Sequence, residues 1–333
     1  MSANPQDNSN TGARRRITRR RLLAMGLDLV TISSAGALLA YSSSKPGPRP
    51  PAHRPRRGGL DATFFVTADC HFGEYQNAWG NVPVNRRQVE AMNALPGARW
   101  PDELGGGTVE EPRGVIACGD LTDNSRADGE APQLQLFVEH YGHKGGDGLL
   151  DYPVFMVPGN HDIDPPFGYL GRQPVEEEIR RRHGEVYYSW DWDDLHLCAL
   201  YEYPDATVCR WLAEDLRRNG VDRPVAMFMH FGLTGYGSDD WSEREKARFH
   251  RTIAPYNVVG IFHGHYHRPC FSQWRGIDCY DTGAPKYTIA PSFAVARITD
   301  TALDVGYWDY KANTWSWFRR LPINGARAEA VTA

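Results

Sequence analysis

Tyr152-Pro-Val-Phe-Met-Val-Pro158, then Gly159-Asn160-His161-Asp162 and Ile163-Asp164, is the stretch on which the reading of this chain turns. Its β-branched and aromatic run predicts a short buried strand. The Pro158-Gly159 breaker ends that strand and puts the next residues on a loop at its carboxyl end. The loop sets an amide, an imidazole and a carboxylate side by side. In open α/β sheets, ligands bind at such loops.

Working outward, the same grammar recurs. Thr63–Thr67 predicts a strand that delivers Asp69-Cys70-His71, and Val115–Cys118 one that ends in Gly119-Asp120-Leu121-Thr122-Asp123. Val84–Leu95 and Pro132–Tyr141 predict helices between them, so the three strands should pair in parallel through right-handed crossovers. Further on, Val186–Trp192 and Leu195–Leu200 read as a hairpin turning at Asp193-Asp194. Asp205 caps a helix to Asn219, and Ser242-Glu243-Arg244-Glu245 is a capping-box signature opening another. Pro224–Met229 is a strand with His230 at its end, and Asn257–Phe262 one that delivers His263-Gly264-His265-Tyr266-His267. From Gly276 onward the chain is strand-rich, and Phe293–Phe318 reads as sheet edge and core closure.

Five predicted strands therefore end in metal-type donors: Asp69/His71, Asp120, Asn160/His161, His230 and His265/His267. One Asp-x-His alone is ordinary loop chemistry. His-x-His is more specific, because imidazoles two apart on an extended segment share a side. The mixture of carboxylate, amide and imidazole suits zinc, iron or manganese better than calcium or a thiolate site.

Charge and composition narrow the partners. Residues 1–60 hold 11 of the 37 basic side chains and 2 of the 41 acidic ones. Residues 61–333 thus keep 26 basic against 39 acidic, a formal charge of −13. So acidic a segment lacks the basic footprint of a nucleic-acid binder, and no nucleic acid is expected as a partner. Arg14-Arg15-Arg16-Ile17-Thr18-Arg19-Arg20-Arg21-Leu22-Leu23 precedes an apolar stretch to Ala40 that Asp28 interrupts. This resembles a twin-arginine export signal, with cleavage after Ala37 or Ala40 both open. It implies the twin-arginine machinery as a partner and an exported bacterial protein: periplasmic, cell-surface or extracellular, with no stable span after cleavage. An uncleaved membrane anchor is the alternative, though Asp28 at its centre costs about 3 kcal/mol. The division expected is residues 1–40 signal peptide, 41–60 Pro/Arg-rich linker and 61–333 a single folded domain.

Taken in order, Asp69-Cys70-His71, Gly119-Asp120 with Asp123, Gly159-Asn160-His161-Asp162, His230, and Gly264-His265-Tyr266-His267 resemble the motifs of the calcineurin-like metallophosphoesterase superfamily over roughly residues 61–300. The resemblance implies an α/β fold in which two mixed β-sheets pack as a sandwich flanked by helices. It implies two divalent or trivalent metal ions (iron, manganese or zinc). One would be held by Asp69, His71, His267 and a bridging Asp120, the other by Asp120, Asn160, His230 and His265. His161 would be the non-ligand catalytic histidine and Asp123 the carboxylate that orients it. The activity implied is hydrolysis of phosphate mono- or diesters by metal-activated hydroxide attack, on a small phosphorylated substrate. A catalytically silent binding protein and a nuclease of the same fold are the alternatives.

Departures narrow this further. Purple acid phosphatases carry a tyrosine ligand where Asp123 stands, 5′-nucleotidases add a large second domain, and protein phosphatases have Arg-Gly where Asn124-Ser125 occur. Gly119-Asp120-Leu121-Thr122-Asp123 is more similar to the bacterial phosphodiesterase-like branch. Of the remaining residues, Asp162 is expected to fix its loop and His263 to pack beside the ligands. Tyr266, Trp79 and Tyr236 are candidates to line the pocket, and Cys70 should point away by strand alternation and be inert. Cys270 and Cys279 flank a hairpin and are a candidate disulfide pair in an exported protein.

Overall fold

The computed structural model describes residues 59–73, 81–124, 132–163, 174–235, 238–285 and 291–323. The proposed signal, nearly all of the linker, Trp79, Tyr236 and the 164–173 loop lie outside the described residues. Among the described residues no helix is long and apolar enough to cross a membrane.

Among the described residues, twelve strands form two six-stranded sheets. The first is built on β1 (Asp61–Thr67), β2 (Val115–Cys118) and β3 (Val154–Val157), which pair in parallel. Helices α1 (Val82–Ala94) and α2 (Gln133–Tyr141) make the two crossovers. Beyond β1 the C-terminal strands β10 (Ser292–Thr299), β11 (Ala302–Asp309) and β12 (Thr314–Pro322) add an antiparallel meander. The stretch expected to close the sheet therefore does so on the side away from β3.

After α3 (Asn160–Ile163) and α4 (Pro174–His183), the hairpin β4 (Tyr188–Trp192) and β5 (Leu195–Ala199) opens the second sheet. Strands β6 (Pro224–Phe228), β7 (Asn257–His263) and β9 (Ile277–Thr282) continue it in parallel, with β8 (Pro269–Trp274) antiparallel at the edge. Helices α5 (Ala206–Asn219) and α6 (Glu243–Ile253) make its crossovers. The predicted caps are present: Asp205 accepts from the N–H groups of Thr207 and Val208, and Ser242 with Glu245 closes a reciprocal capping box.

Strand alternation sorts the core into layers. On β5 and β6, Leu197, Ala199, Ala226 and Phe228 face the first sheet, while Cys198, Val225 and Met227 lie under α5 and α6. Phe64 of β1 sits in the inter-sheet layer, with ring centroids 6.0 Å from Phe228 and 5.8 Å from Phe262. Its neighbour Phe65 turns to the opposite face against Phe293. This is the expected sandwich, and its parallel strands point their carboxyl ends to one edge.

The candidate Cys270–Cys279 pairing is not made. All six cysteines are free thiols, and Cys270 and Cys279 are not cross-strand partners: Cys270 pairs with Asp281 and Cys279 with Ser272. The hairpin register sets them two positions out of step, which removes the candidate disulfide.

Candidate metal centre

The carboxyl ends of β1, β2, β3, β6 and β7 converge at the edge where the two sheets meet, and they bring all nine predicted site residues together. The backbone there leaves extended geometry abruptly. Asp69, His71, Asp120, His265 and His267 adopt φ of 57°, 45°, 52°, 75° and 61°, five of the nine described non-glycine residues in the left-handed region. Such residues cost about 1–3 kcal/mol each and gather at functional sites. Asp and His tolerate the conformation better than most side chains.

Two expectations change as a result. His265 and His267 reach the site from a bent segment and not from an extended one, so strand alternation is not what aligns them. Cys70 is buried and its thiol is pushed up by burial, hence inert, but it lies between two left-handed residues and not on a strand.

The loops touch so closely that glycine is required. A Cβ on Gly159 would lie 2.3 Å from the Asp120 nitrogen and from its Oδ1. One on Gly119, at φ +90°, would meet His230 Nδ1 at 2.4 Å. After Gly159 the chain makes one helical turn, Asn160–Ile163, where a loop was expected. Asp162 explains it: its carboxylate accepts from Gly159 N at 2.9 Å, from Thr122 N and Oγ1 at 2.9 and 2.8 Å, and from Leu121 N at 3.2 Å. It thus ties the Asn160 turn to the Asp120 loop, the loop-fixing role expected of it. Burial and the Asp120 charge push its carboxyl up to about 6, against these donors.

The donor atoms fall into two overlapping groups. Asp69, His71, Asp120 and His267 form one, and Asp120, His230 and His265 the other, each within 4.8 Å. In the first, His71 Nε2 is 3.2 Å from His267 Nε2, and His267 Nε2 is 3.3 Å from Asp69 Oδ1. In the second, Asn160 Oδ1 is 3.1 Å from His230 Nε2. Asp120 belongs to both: its Oδ2 lies 3.2 Å from His230 Nε2 and 3.5 Å from His71 Nε2. That oxygen is buried and has no hydrogen-bond partner among the described residues, an arrangement that a native fold tolerates only for a reason.

His230 and His71 are oriented from behind through their Nδ1 atoms. Cys118 O accepts from His230 Nδ1 at 2.8 Å, and Asp123 Oδ1 from His71 Nδ1 at 3.2 Å. Both Nε2 atoms therefore face Asp120. Asp69 accepts from the His265 backbone N–H at 3.0 Å, bonding the end of β1 to the loop after β7. Burial opposes charge throughout, yet His267 and His230 hold Asp69 below its ordinary value, and His230, His161 and His71 hold Asp120 well below. The Asp120 and Asp69 charges in turn overcome burial and raise His230 to about 10. The cradle is thus organised for positive charge.

The residues fit bound metal. Donors bonded to one ion at about 2.0–2.2 Å are separated by about 2.8–3.5 Å, the spacing found here. The mixed nitrogen and oxygen set, without thiolate, suits zinc, iron or manganese.

Asp123 departs from its expected part. Its carboxylate is nearer His71 than His161, whose Nδ1 is 3.7 Å away. What holds His161 is the Asp123 backbone carbonyl, which accepts from Nδ1 at 2.6 Å, while His161 N donates to Asp120 Oδ1 at 2.9 Å. Nε2 is then the nitrogen able to exchange a proton.

A model of the calcineurin-like phosphoesterases matches residues 62–269. The chain belongs to that family. As a calcineurin-like phosphoesterase it is a metal-dependent hydrolase of phosphoric esters. It is 25% identical over 252 residues to a glycerophosphodiester phosphodiesterase, GpdQ, of Enterobacter lignolyticus, covering 67% of this chain and 82% of that one. It is 26% identical over 180 residues to the 3′,5′-cyclic adenosine monophosphate phosphodiesterase CpdA of Haemophilus influenzae, covering 51% of this chain and 60% of the relative. In fold it is similar to a dimetal phosphatase from Danio rerio, with a TM-score of 0.54 at 14% identity over 80% of this chain and 99% of that one.

Several supporting residues escaped the sequence reading. Asn81 and Asn85, at the start of α1, donate to the carbonyls of His71 and Cys70 at 2.8 and 2.9 Å, and Gln133 Oε1 accepts from Asp123 N. Buried amides on a helix face that should be apolar were the available signal. Asp281, wholly buried, lies 3.5 Å from His263 and accepts from Tyr266 N, giving His263 its place behind the ligand loop. Asp240 approaches His265 Nε2 at 3.1 Å. A separate group of His196, Cys198 and Asp215 lies on β5 and α5, where both His196 nitrogens are taken, by Asp191 at 2.7 Å and Asp215 at 2.8 Å.

Proposed function

We propose that this calcineurin-like phosphoesterase is an exported, dinuclear phosphodiesterase acting on a small phosphorylated substrate. The observation that carries the reading is Asp120 Oδ2, buried between His71 Nε2 at 3.5 Å and His230 Nε2 at 3.2 Å. Asp69, His71, Asp120 and His267 would hold one ion, and Asp120, Asn160, His230 and His265 the other. Bound iron, manganese or zinc would supply Lewis acidity and lower the pKa of water. Neutral Asn160 and four imidazoles limit the site's negative charge, so a substrate phosphate meets net attraction once ions are present.

His161 is the acid–base residue of this reading: with Nδ1 held by the Asp123 carbonyl, Nε2 can deliver a proton to a departing oxygen or donate a hydrogen bond to developing charge. Diester preference is supported by the two phosphodiesterase relatives. Export is supported by Arg19-Arg20-Arg21-Leu22-Leu23 and the apolar stretch that follows.

The test is turnover of a bis-aryl phosphate against an aryl phosphate by metal-stripped protein reloaded with manganese, zinc or iron. Faster diester turnover that is lost with both ions in Asp120→Asn is the expected result. Bound metal without turnover of either ester would convert the reading to a silent binding protein. Export is tested by a periplasmic reporter fused to residues 1–60, which Arg19→Lys with Arg20→Lys should retain in the cytoplasm.

A further inference from the structure

The face of α1 that packs inward carries amides where an apolar stripe belongs. Asn81, Asn85 and Gln88 recur there at helical spacing, and all three are buried. A single hydrogen-bonded network joins them to Tyr141 at the end of α2. Gln88 Nε2 donates to Thr67 Oγ1 at 2.6 Å and to Tyr141 Oη at 2.9 Å. Tyr141 Oη donates to Asn85 Oδ1 at 2.9 Å, and Asn85 Nδ2 donates to Cys70 O at 2.9 Å. Beside it, Asn81 Nδ2 donates to His71 O at 2.8 Å. An asparagine at a helix N-cap ordinarily accepts from the N–H groups of the first turn. Asn81 makes no such side-chain cap and gives its amide to the His71 carbonyl.

The turn that these amides hold is the one that aims His71. Asp69 and His71 sit in the left-handed region, at φ of 57° and 45°. On the N–H side the turn is fastened to the loop after β2, where Asp69 N donates to Gly119 O and His71 N to Asp120 O, both at 2.9 Å. On the C=O side it is fastened by Asn85 and Asn81. Cys70 and His71 are fully buried, so a carbonyl that loses its amide has no ready access to water. Burying these polar groups costs desolvation that an apolar helix face would avoid. A connected buried network returns a single fixed arrangement, here at a metal-type ligand.

We infer that Asn85 and Tyr141, with Asn81 and Gln88, are positioning residues for the ion assigned to Asp69, His71, Asp120 and His267. They act through the carbonyls of Cys70 and His71, which fix where the His71 ring stands against Asp120 and His267. The inference rests on the metal assignment proposed above. Tyr141 meets Asn85 across 56 residues of chain, so sequence spacing does not reveal the network.

The experiment is calorimetric titration of the metal-free full chain with Mn2+, alongside the visible spectrum of the Co2+-loaded protein, for wild type, Asn85→Ala, Tyr141→Phe and Val89→Ala. Tyr141→Phe keeps the ring that stacks on Phe137 with centroids 4.8 Å apart. Val89, 1% exposed and next to Gln88 on α1, is the control: its truncation removes apolar packing from the same helix and none of the network's hydrogen bonds. Asn85→Ala and Tyr141→Phe should bind the ion of the His71 position about tenfold to hundredfold more weakly. They should also change the Co2+ band of that position, which is identified by its loss in His71→Ala. Val89→Ala should lower the urea midpoint and leave affinity and band as they are. Unaltered affinity or an unaltered band in Asn85→Ala overturns the inference, as does equal weakening in Val89→Ala, which would reduce the effect to general loosening. A wild type that takes up a single ion, weakened in Asn85→Ala, would sink the two-ion reading and leave the positioning role standing; one that takes up none overturns both.

Discussion

Replacing Asp162 with alanine should unfasten the catalytic loops from each other. Its carboxylate is wholly buried and accepts four hydrogen bonds, from Leu121 N, Thr122 N, Thr122 Oγ1 and Gly159 N, at 2.8–3.2 Å. Leu121 and Thr122 are themselves fully buried, so their donors have no ready access to solvent. A buried donor left unpaired costs about 1–3 kcal/mol. Water entering the vacated space recovers part of that, and the desolvation that pushes Asp162 up to about 6 offsets some of the original gain. The expected loss is therefore about 3–5 kcal/mol, near the upper end for single substitutions. At pH 7.5, where the carboxylate is ionised, urea unfolding of Asp162→Ala should show a lower midpoint with unchanged slope. Metal titration should show weaker binding at the Asn160 position, because the turn carrying Asn160 loses its tie to the Asp120 loop. A loss under about 1 kcal/mol, or full metal affinity in a destabilised protein, would refute the reasoning.

Three further outcomes are expected. His161→Ala should keep both ions by elemental analysis and lose about 10²–10⁴ in turnover; unchanged turnover would remove His161 from the chemistry. Gly159→Ala would drive a methyl to 2.3 Å from Asp120 N and Oδ1, so it should lower stability by about 1–3 kcal/mol or more in a denaturant titration and metal content with it. His183 stacks on Tyr188 at 3.7 Å, and burial, aided by Arg182, lowers it to about 4. Between pH 4 and 6.5 the unfolded chain then binds the proton that the folded one refuses, so stability rises with pH across that window and levels off above it. In His183→Gln, midpoints of urea unfolding at pH 4.5, 5.5 and 6.5 should show a flatter dependence.

The order of elements and the location of the site were legible along the chain. The strand runs before Asp69, Asp120, Asn160, His230 and His265 are local β-branched segments, and their carboxyl ends are where a parallel sheet must place its loops. Helix starts at Asp205 and Ser242 were legible for the same reason: capping is satisfied within four residues. Periodicity says nothing of long-range contacts, and those decided the rest. That β10 joins β1, dividing the strands into two sheets, is a pairing across more than two hundred residues. Whether Asp123 reaches His161 with its carboxylate or its carbonyl depends on a left-handed turn at Asp120 that residue type permits but does not dictate. The cysteine register depends on where a hairpin turns.

Residue identity and order thus determined the candidate donor set and the family, because metal chemistry restricts which side chains serve and strand grammar places them. Tertiary structure alone decided that Asp120 Oδ2 stands between the two groups of histidines, that Asp162 ties two loops together, and that Asp240 meets His265. Each is a contact between segments remote in sequence, and only packing of the two sheets brings such segments within hydrogen-bond distance.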